Sequence, residues 1–258
     1  MQINSVSKGH HFIFMEKRQR FSGNSDHSQL KINDMLHIKK ILVLFTLIIL
    51  AVSMTFGQVR FGVQSGIGLS NLIYKVPLDD PFEPIMVFHG GVILEFGAME
   101  GLAFGTGLLL TGKGGQQTMN FDLYNENFKY QSYYLEMPAK IILHGRGVYG
   151  AAGPYAAYGF FGKERYQLNP STDEMDMVEK SRKLKFGNDY TDDFTPFEYG
   201  MLLEFGYDSP RGIRILLQYQ NGFSDMLPSK FRHDVGISKV HNYTLGLSVG
   251  YLFNYAKL

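Results

Sequence analysis

Tyr243-Thr244-Leu245-Gly246-Leu247-Ser248-Val249-Gly250-Tyr251-Leu252-Phe253-Asn254-Tyr255 decides the fold of this chain. Tyr, Leu, Val and Phe fall at every second position. Thr, Gly, Ser and Asn fill the others, and Leu252 alone is out of phase. A period of two marks a β-strand with two unlike faces, whereas a helix repeats about every 3.6 residues.

The same alternation runs upstream. Phe197, Tyr199, Met201, Leu203, Phe205 and Tyr207 alternate with Glu198, Gly200, Leu202, Glu204 and Gly206. Ile213, Ile215, Leu217 and Tyr219 alternate with Arg214, Leu216, Gln218 and Gln220. Tyr133, Leu135, Met137, Ile141 and Leu143 alternate with Tyr134, Glu136, Pro138 and Lys140. Three earlier segments are weaker: Val59–Ser70, Met86–Phe96 and Leu102–Leu110. In them Arg60, His89 and Glu95 fall on the polar side, and Phe88, Phe96 and Phe104 on the apolar side. A further run, Val148–Phe161, is rich in Ala and Gly, and its faces cannot be assigned. The segments predict eight strands, ending near Tyr74, Phe96, Thr111, Leu143, Phe161, Tyr207, Asn221 and Tyr255.

The connections alternate in length. Ala98–Gly101, His144–Gly147 and Asp208–Gly212 are tight turns, and the longest polar connection runs from Gly162 to Thr195. In an up-and-down barrel alternate connections emerge at opposite ends. One clipped end and one elaborated end is the pattern of outer-membrane barrels.

The polar face decides the solvent. It is mostly Gly, Ser, Thr and Gln, too poor in charge for a water-facing wall. It suits the crowded interior of an eight-stranded barrel. The bulky face is nearly free of charge, as lipid demands, and Tyr74, Phe82, Tyr133, Tyr207, Tyr219 and Tyr243 near strand ends suggest aromatic girdles. Seven charges are expected inside: Arg60, Glu95, Glu136, Lys140, Glu198, Glu204 and Arg214. Buried charges are costly unless paired, so a self-neutralising network is preferred to an ion path.

Composition agrees. With 258 residues the chain has room for one such barrel plus a leader, and the absence of cysteine excludes disulfides and thiolate metal sites. Residues 1–57 carry seven Lys/Arg against three Asp/Glu, so the basic excess lies in the leader, and no nucleic-acid footprint remains in the rest. Lys39-Lys40, the apolar run Ile41–Val52 and Ser53-Met54-Thr55-Phe56-Gly57 have the order of a signal peptide. The run is shorter than the roughly 20 residues of a membrane-spanning helix. The expected organisation is a polar extension (1–34), untranslated or disordered, with Met35 as an alternative start; a signal peptide (35–57), cleaved between Gly57 and Gln58; and a barrel (58–258).

Candidate chemistry is sparse. His89 reads as an interior histidine and His144 as a turn residue. Ser224, Asp225, His233, Asp234 and His241 could supply a Ser/His/acid set, but mobile loops hold such geometry poorly. Asp189, Asp192 and Asp193 could hold a hard cation, although an exposed acidic loop is preferred. Asp173, Glu174, Asp176 and Glu179, followed by Lys180, Arg182, Lys183 and Lys185, read as a solvated segment. Lys113-Gly114-Gly115 reads as a loop without phosphate-binding spacing. No cofactor or metal is expected.

Tyr133-Tyr134-Leu135-Glu136-Met137-Pro138-Ala139-Lys140 resembles the fourth strand of the PorT-like outer-membrane β-barrel family. Gly150-Ala151-Ala152-Gly153-Pro154-Tyr155-Ala156-Ala157-Tyr158 resembles its Gly-Pro-Tyr fifth strand, and Phe61–Gly68 its Gly-rich first strand. The likeness spans about residues 58–255. It implies residence in the outer membrane and contact with its lipid. One family member acts in secretion, which makes envelope or secretion proteins the expected partners of the outer loops. The final Ala256-Lys257-Leu258 departs from the usual terminal aromatic. The expectation is a monomeric, closed structural or interaction barrel. The alternatives are a lipid-modifying enzyme of the outer leaflet (a hydrolase or acyltransferase acting on lipid A), which needs a Ser/His/acid cluster at the outer rim, and a narrow passive channel.

Overall fold

A computed structural model describes residues 58–74, 81–121, 124–170, 177–228 and 239–253. The leader with its cleavage point, residues 1–34, and the terminal Ala256-Lys257-Leu258 lie outside them.

The strands are β1 (Gln58–Tyr74), β2 (Ile85–Met99), β3 (Leu102–Asn120), β4 (Tyr124–Gly145), β5 (Val148–Pro170), β6 (Val178–Lys183), β7 (Phe197–Asp208), β8 (Ile213–Gly222) and β9 (Val240–Phe253). Eight close into an antiparallel ring. β1 to β5 follow one another, β5 pairs with β7, and β9 returns to β1. β6 pairs only with the outer part of β5. A ring has no edge, so its backbone groups find partners without water.

The three expected tight turns stand at one end. Gly101, Gly147 and Gly212, one in each, have φ of 73°, 88° and 84°, which glycine adopts without steric cost. Arg146 has φ 50°, so Arg146-Gly147 is a two-residue hairpin loop with both residues left-handed, the geometry that matches strand twist.

Side chains sort as the alternation demands. Tyr199, Leu217 and Leu247 are 50%, 50% and 55% exposed, on the outer wall rather than around the axis. Leu247 lies between Ile67 and Leu217 in the ladder, forming a continuous apolar strip. Leu252, out of phase in the sequence, is buried inside with Leu202 and Leu216. Phe96 departs from the outward face. It is buried, next to a register shift between Gly97 and Met99. The faces of β5, illegible in the sequence, resolve into buried Ala151, Gly153, Tyr155 and Ala157 against exposed Ala152, Pro154 and Tyr158. The two strand prolines mark breaks in pairing. The β3–β4 register skips from Ala139 to Glu136 around Pro138, and the β4–β5 register skips Gly153 and Pro154. Proline has no N–H to give to a ladder.

The elaborated end differs from expectation. β3 continues to Asn120, β4 begins at Tyr124 and β5 runs to Pro170, so much of the expected loop 162–195 is sheet. β5 extends from Gly159 to Pro170 beyond its last pair with β7, roughly 40 Å at about 3.3 Å per residue. Lys113-Gly114-Gly115 lies within β3, not in a loop. Phe82 is buried in a core cluster rather than set in a girdle. Lys180, Arg182 and Lys183 sit on β6, while Asp173, Glu174 and Asp176 lie outside the described residues.

Candidate functional site

Alternation sends every second side chain of eight strands into the lumen, where charged groups survive only in pairs. They gather in two clusters. In the inner one, Arg214 of β8 is fully buried. Its Nε and Nη2 donate to Asp208 Oδ1 and Oδ2 at 2.6 and 2.8 Å, and Nη1 donates to Glu95. Arg60 Nη2 lies 2.9 Å from Glu95 Oε2 and donates to His144 Nε2 at 2.7 Å. Because Nε2 accepts, Nδ1 carries the ring proton and faces Asp208 Oδ2 at 3.2 Å. The Arg214 guanidinium sits 3.7 Å from the Tyr149 ring centroid. Tyr149 Oη and Lys140 Nζ both donate to Glu204 Oε2, at 2.5 and 2.6 Å. Three bases (Arg60, Lys140, Arg214) thus meet three acids (Glu95, Glu204, Asp208).

The outer cluster centres on Lys113. Its Nζ is 2.6 Å from Glu198 Oε1 and 3.2 Å from Glu136 Oε2, with the Tyr155 ring centroid 4.3 Å away. Tyr155 Oη donates to Glu198 Oε1 and Asn242 Nδ2 to Oε2, while Gln220 Nε2 donates to Glu136 Oε1. Between the clusters, His89 Nε2 is 2.6 Å from Ser248 Oγ, and Gln64 bonds Gln218. Small residues make room for the imidazole: a Cβ on Gly66 would stand 2.6 Å from His89 Nε2.

An apolar layer covers the outer cluster. Leu72, Phe82, Leu184, Phe194, Met226, Leu227 and Val240 pack with Tyr134 and Tyr155, both of which also face the Lys113 ammonium. Backbone bonds tie the covering segments to the wall and to each other: Gly159 N–H to Pro196 O, Leu184 N–H to Gly162 O, Thr195 N–H to Met226 O and Met226 N–H to Val240 O.

All seven residues expected inside are buried, and the structure divides them between the two clusters. Lys113, Asp208, His144, Tyr149 and Tyr155 are the members that sequence reasoning missed. Parity could have found Asp208, which keeps the phase of β7, whereas Tyr149 and Tyr155 lie in the stretch of β5 whose faces the sequence leaves open. Lys113 carries no such signal, because its run is all small and polar.

The outer-rim candidates have other occupations. Ser224 Oγ accepts the Tyr199 N–H, and Asp225 Oδ1 accepts from Leu227 and Val240. His233 and Asp234 lie outside the described residues. Asp193 is bound to Arg182 and to the Lys185 N–H, and Asp192 Oδ2 accepts the Asp189 N–H. Among the described residues no three acidic or imidazole side chains converge as a metal site.

A family model described as outer membrane protein beta-barrel domain matches residues 50–228. No curated protein matches the sequence. Solved structures similar in fold include Neisserial surface protein A, at 10% identity over 75% of this chain and 97% of that one, with a TM-score of 0.41. They also include Ail, the attachment invasion locus protein of Yersinia pestis, at 15% identity over 76% and 99%, with a TM-score of 0.35. The outer membrane protease OmpT of Escherichia coli is similar at 9% identity over 75% and 97%, with a TM-score of 0.31. Since the family model spans more than two thirds of the sequence and the ring of eight strands has its architecture, the chain belongs to the outer membrane protein beta-barrel domain family.

Proposed function

We infer that this protein is a monomeric, closed barrel with a structural or interaction role in the envelope. In this reading it contributes to secretion through its outer loops, as a member of the PorT-like branch suggested by Tyr133–Lys140 and Gly150–Tyr158. One observation carries the reading: the described lumen side chains are bonded to one another. Two networks of paired charges occupy it, and an apolar layer covers the outer network. A translocation path would need water or mobile ions where these groups are bonded to one another. The rigid wall then serves to hold the outer sheet extension and loops in place, and loops on a rigid scaffold are where contacts are made.

Planar-bilayer recording and affinity capture test this together. The purified barrel is expected to give no resolved conductance steps. Capture from detergent-solubilised envelopes is expected to bring down an envelope protein, and shortening the 184–196 segment should release it. Stable conductance steps in the intact protein would make it a channel instead.

A further inference from the structure

Above the apolar belt the outer wall carries bases that form no ion pair with a described residue. β4, β5 and β6 pair side by side there, and directly opposed residues of an antiparallel ladder share a face. The row at the belt is Tyr133–Phe161, whose rings stack with centroids 5.9 Å apart. The next row on that face is Gln131–Lys163–Lys183, and the one beyond is Lys129–Arg165–Ser181. Lys163, Arg165 and Lys183 are exposed, and Lys129 is half-buried.

This face is continuous with the lipid wall. In β4 the odd-numbered residues stay outward from Leu135 up to Lys129. In β5 a bulge changes the parity: Tyr134 pairs with Gly159 and Tyr133 with Phe161, leaving Phe160 as the extra residue. Below it Tyr158 and Pro154 face out; above it Phe161, Lys163 and Arg165 do. Lys163 Nζ lies 5.9 Å from the Phe161 ring centroid, so the charge begins where the aromatic belt ends.

Two features of this patch call for a ligand. Lys163 stands directly opposite Lys183, and Lys129 opposite Arg165, and like charges so placed destabilise a ladder. None of the four forms an ion pair with a described residue. Arg182, one residue away on the other face of the same hairpin, is bonded to Glu164 and to Asp193, the latter at 2.8 Å. Among the described residues acids pair with the inward base, whereas the four outward ones have no ion-pair partner; an acid on their face, Glu179, stands a row further out, opposite Gln167.

We propose that Lys129, Lys163, Arg165 and Lys183 form a site for the phosphate groups of an outer-leaflet lipid, whose acyl chains lie along Leu135, Tyr158 and Phe161. A phosphate placed between the opposed bases turns repulsion into charge-assisted hydrogen bonds. Arg165 offers a planar fork and the lysines offer point charges. A lipid, unlike a soluble anion, engages the basic rows and the apolar strip below them in one molecule.

The barrel refolded in neutral detergent is titrated with bis-phosphorylated lipid A and with the same lipid after dephosphorylation, and bound lipid is counted by native mass spectrometry. The phosphorylated form should bind at least about tenfold more tightly. Lys163→Gln with Arg165→Gln should abolish the difference. Arg211→Gln, which removes a charge from the opposite end, should preserve it. Without lipid, the double variant should melt at the same or a higher temperature, because repulsion has been relieved. Equal affinity for the two lipids, or a preference unchanged in the double variant, would overturn the proposal. Inorganic pyrophosphate binding as tightly as the lipid would mark a free-anion site and would overturn it too. A lower melting point of the lipid-free double variant would show that the bases serve the fold instead.

Discussion

Glu198 is the residue on which the outer cluster turns. It accepts from Lys113, Tyr155 and Asn242, all buried, so truncation strands the Tyr155 and Asn242 donors and leaves Lys113 to Glu136, at 3.2 Å. Breaking one side of a buried pair costs about 3–5 kcal/mol, more than replacing both sides with apolar groups. Glu198→Ala should therefore lower unfolding stability in urea and micelles by about that amount. Lys113→Met combined with Glu198→Gln should cost less than the sum of its parts. A loss from Glu198→Ala within the roughly 0.5 kcal/mol expected of surface changes would contradict the burial described here. Glycines test the packing more finely. A Cβ on Gly66 would stand 2.3 Å from the Leu247 carbonyl oxygen, whereas one on Gly150 meets nothing within 4 Å. Gly66→Ala should cost about 1–3 kcal/mol and Gly150→Ala close to nothing. Equal effects in a thermal melt would remove the distinction.

Among the elements, β5 carries the most information that the sequence concealed. Its lower half is Ala and Gly on both faces, so no periodicity marks inside from outside. Its upper half is polar on both faces, because it stands in water and an acid–base hairpin there buries little. Alternation is legible only where one face meets lipid and the other the lumen, which is why β7, β8 and β9 are readable while the extensions of β3, β4 and β5 read as loops. The bulge at Phe160 is invisible for the same reason. It is testable because the chain has no cysteine. Single cysteines placed from Phe161 to Gln167 in bilayer-embedded protein should react with a water-soluble maleimide at positions 163 and 165 and resist it at 164. Strong labelling at 164 with protection at 163 and 165 would mean that the parity does not change.

On the scale of the whole molecule, which charges lie inside could be read from sequence, but which meet could not. Glu95 and Arg214 are 119 positions apart, and Lys113 and Glu198 are 85 apart. Strand stagger brings them to one height in the lumen, and no local pattern encodes it. Lys113 joins the cluster because β3 runs past the expected end at Thr111. The apolar layer over the outer cluster was equally hidden, since Leu184, Phe186 and Phe194 are isolated within a polar stretch. What the sequence did carry was the sidedness of the wall, and the rest of the account depends on it. An arginine in place of Leu247 should cost about 2–4 kcal/mol if that position lies at the bilayer midplane.

Tryptophan offers the most direct test of that sidedness, because the chain contains none. Leu247→Trp and Gln218→Trp, each the sole indole in the folded barrel, can be compared in bilayers whose acyl chains carry bromine. Position 247 should emit in the blue and be strongly quenched, and position 218 should be spared. Quenching at 218 with protection at 247 would turn the barrel inside out and contradict everything built on its orientation.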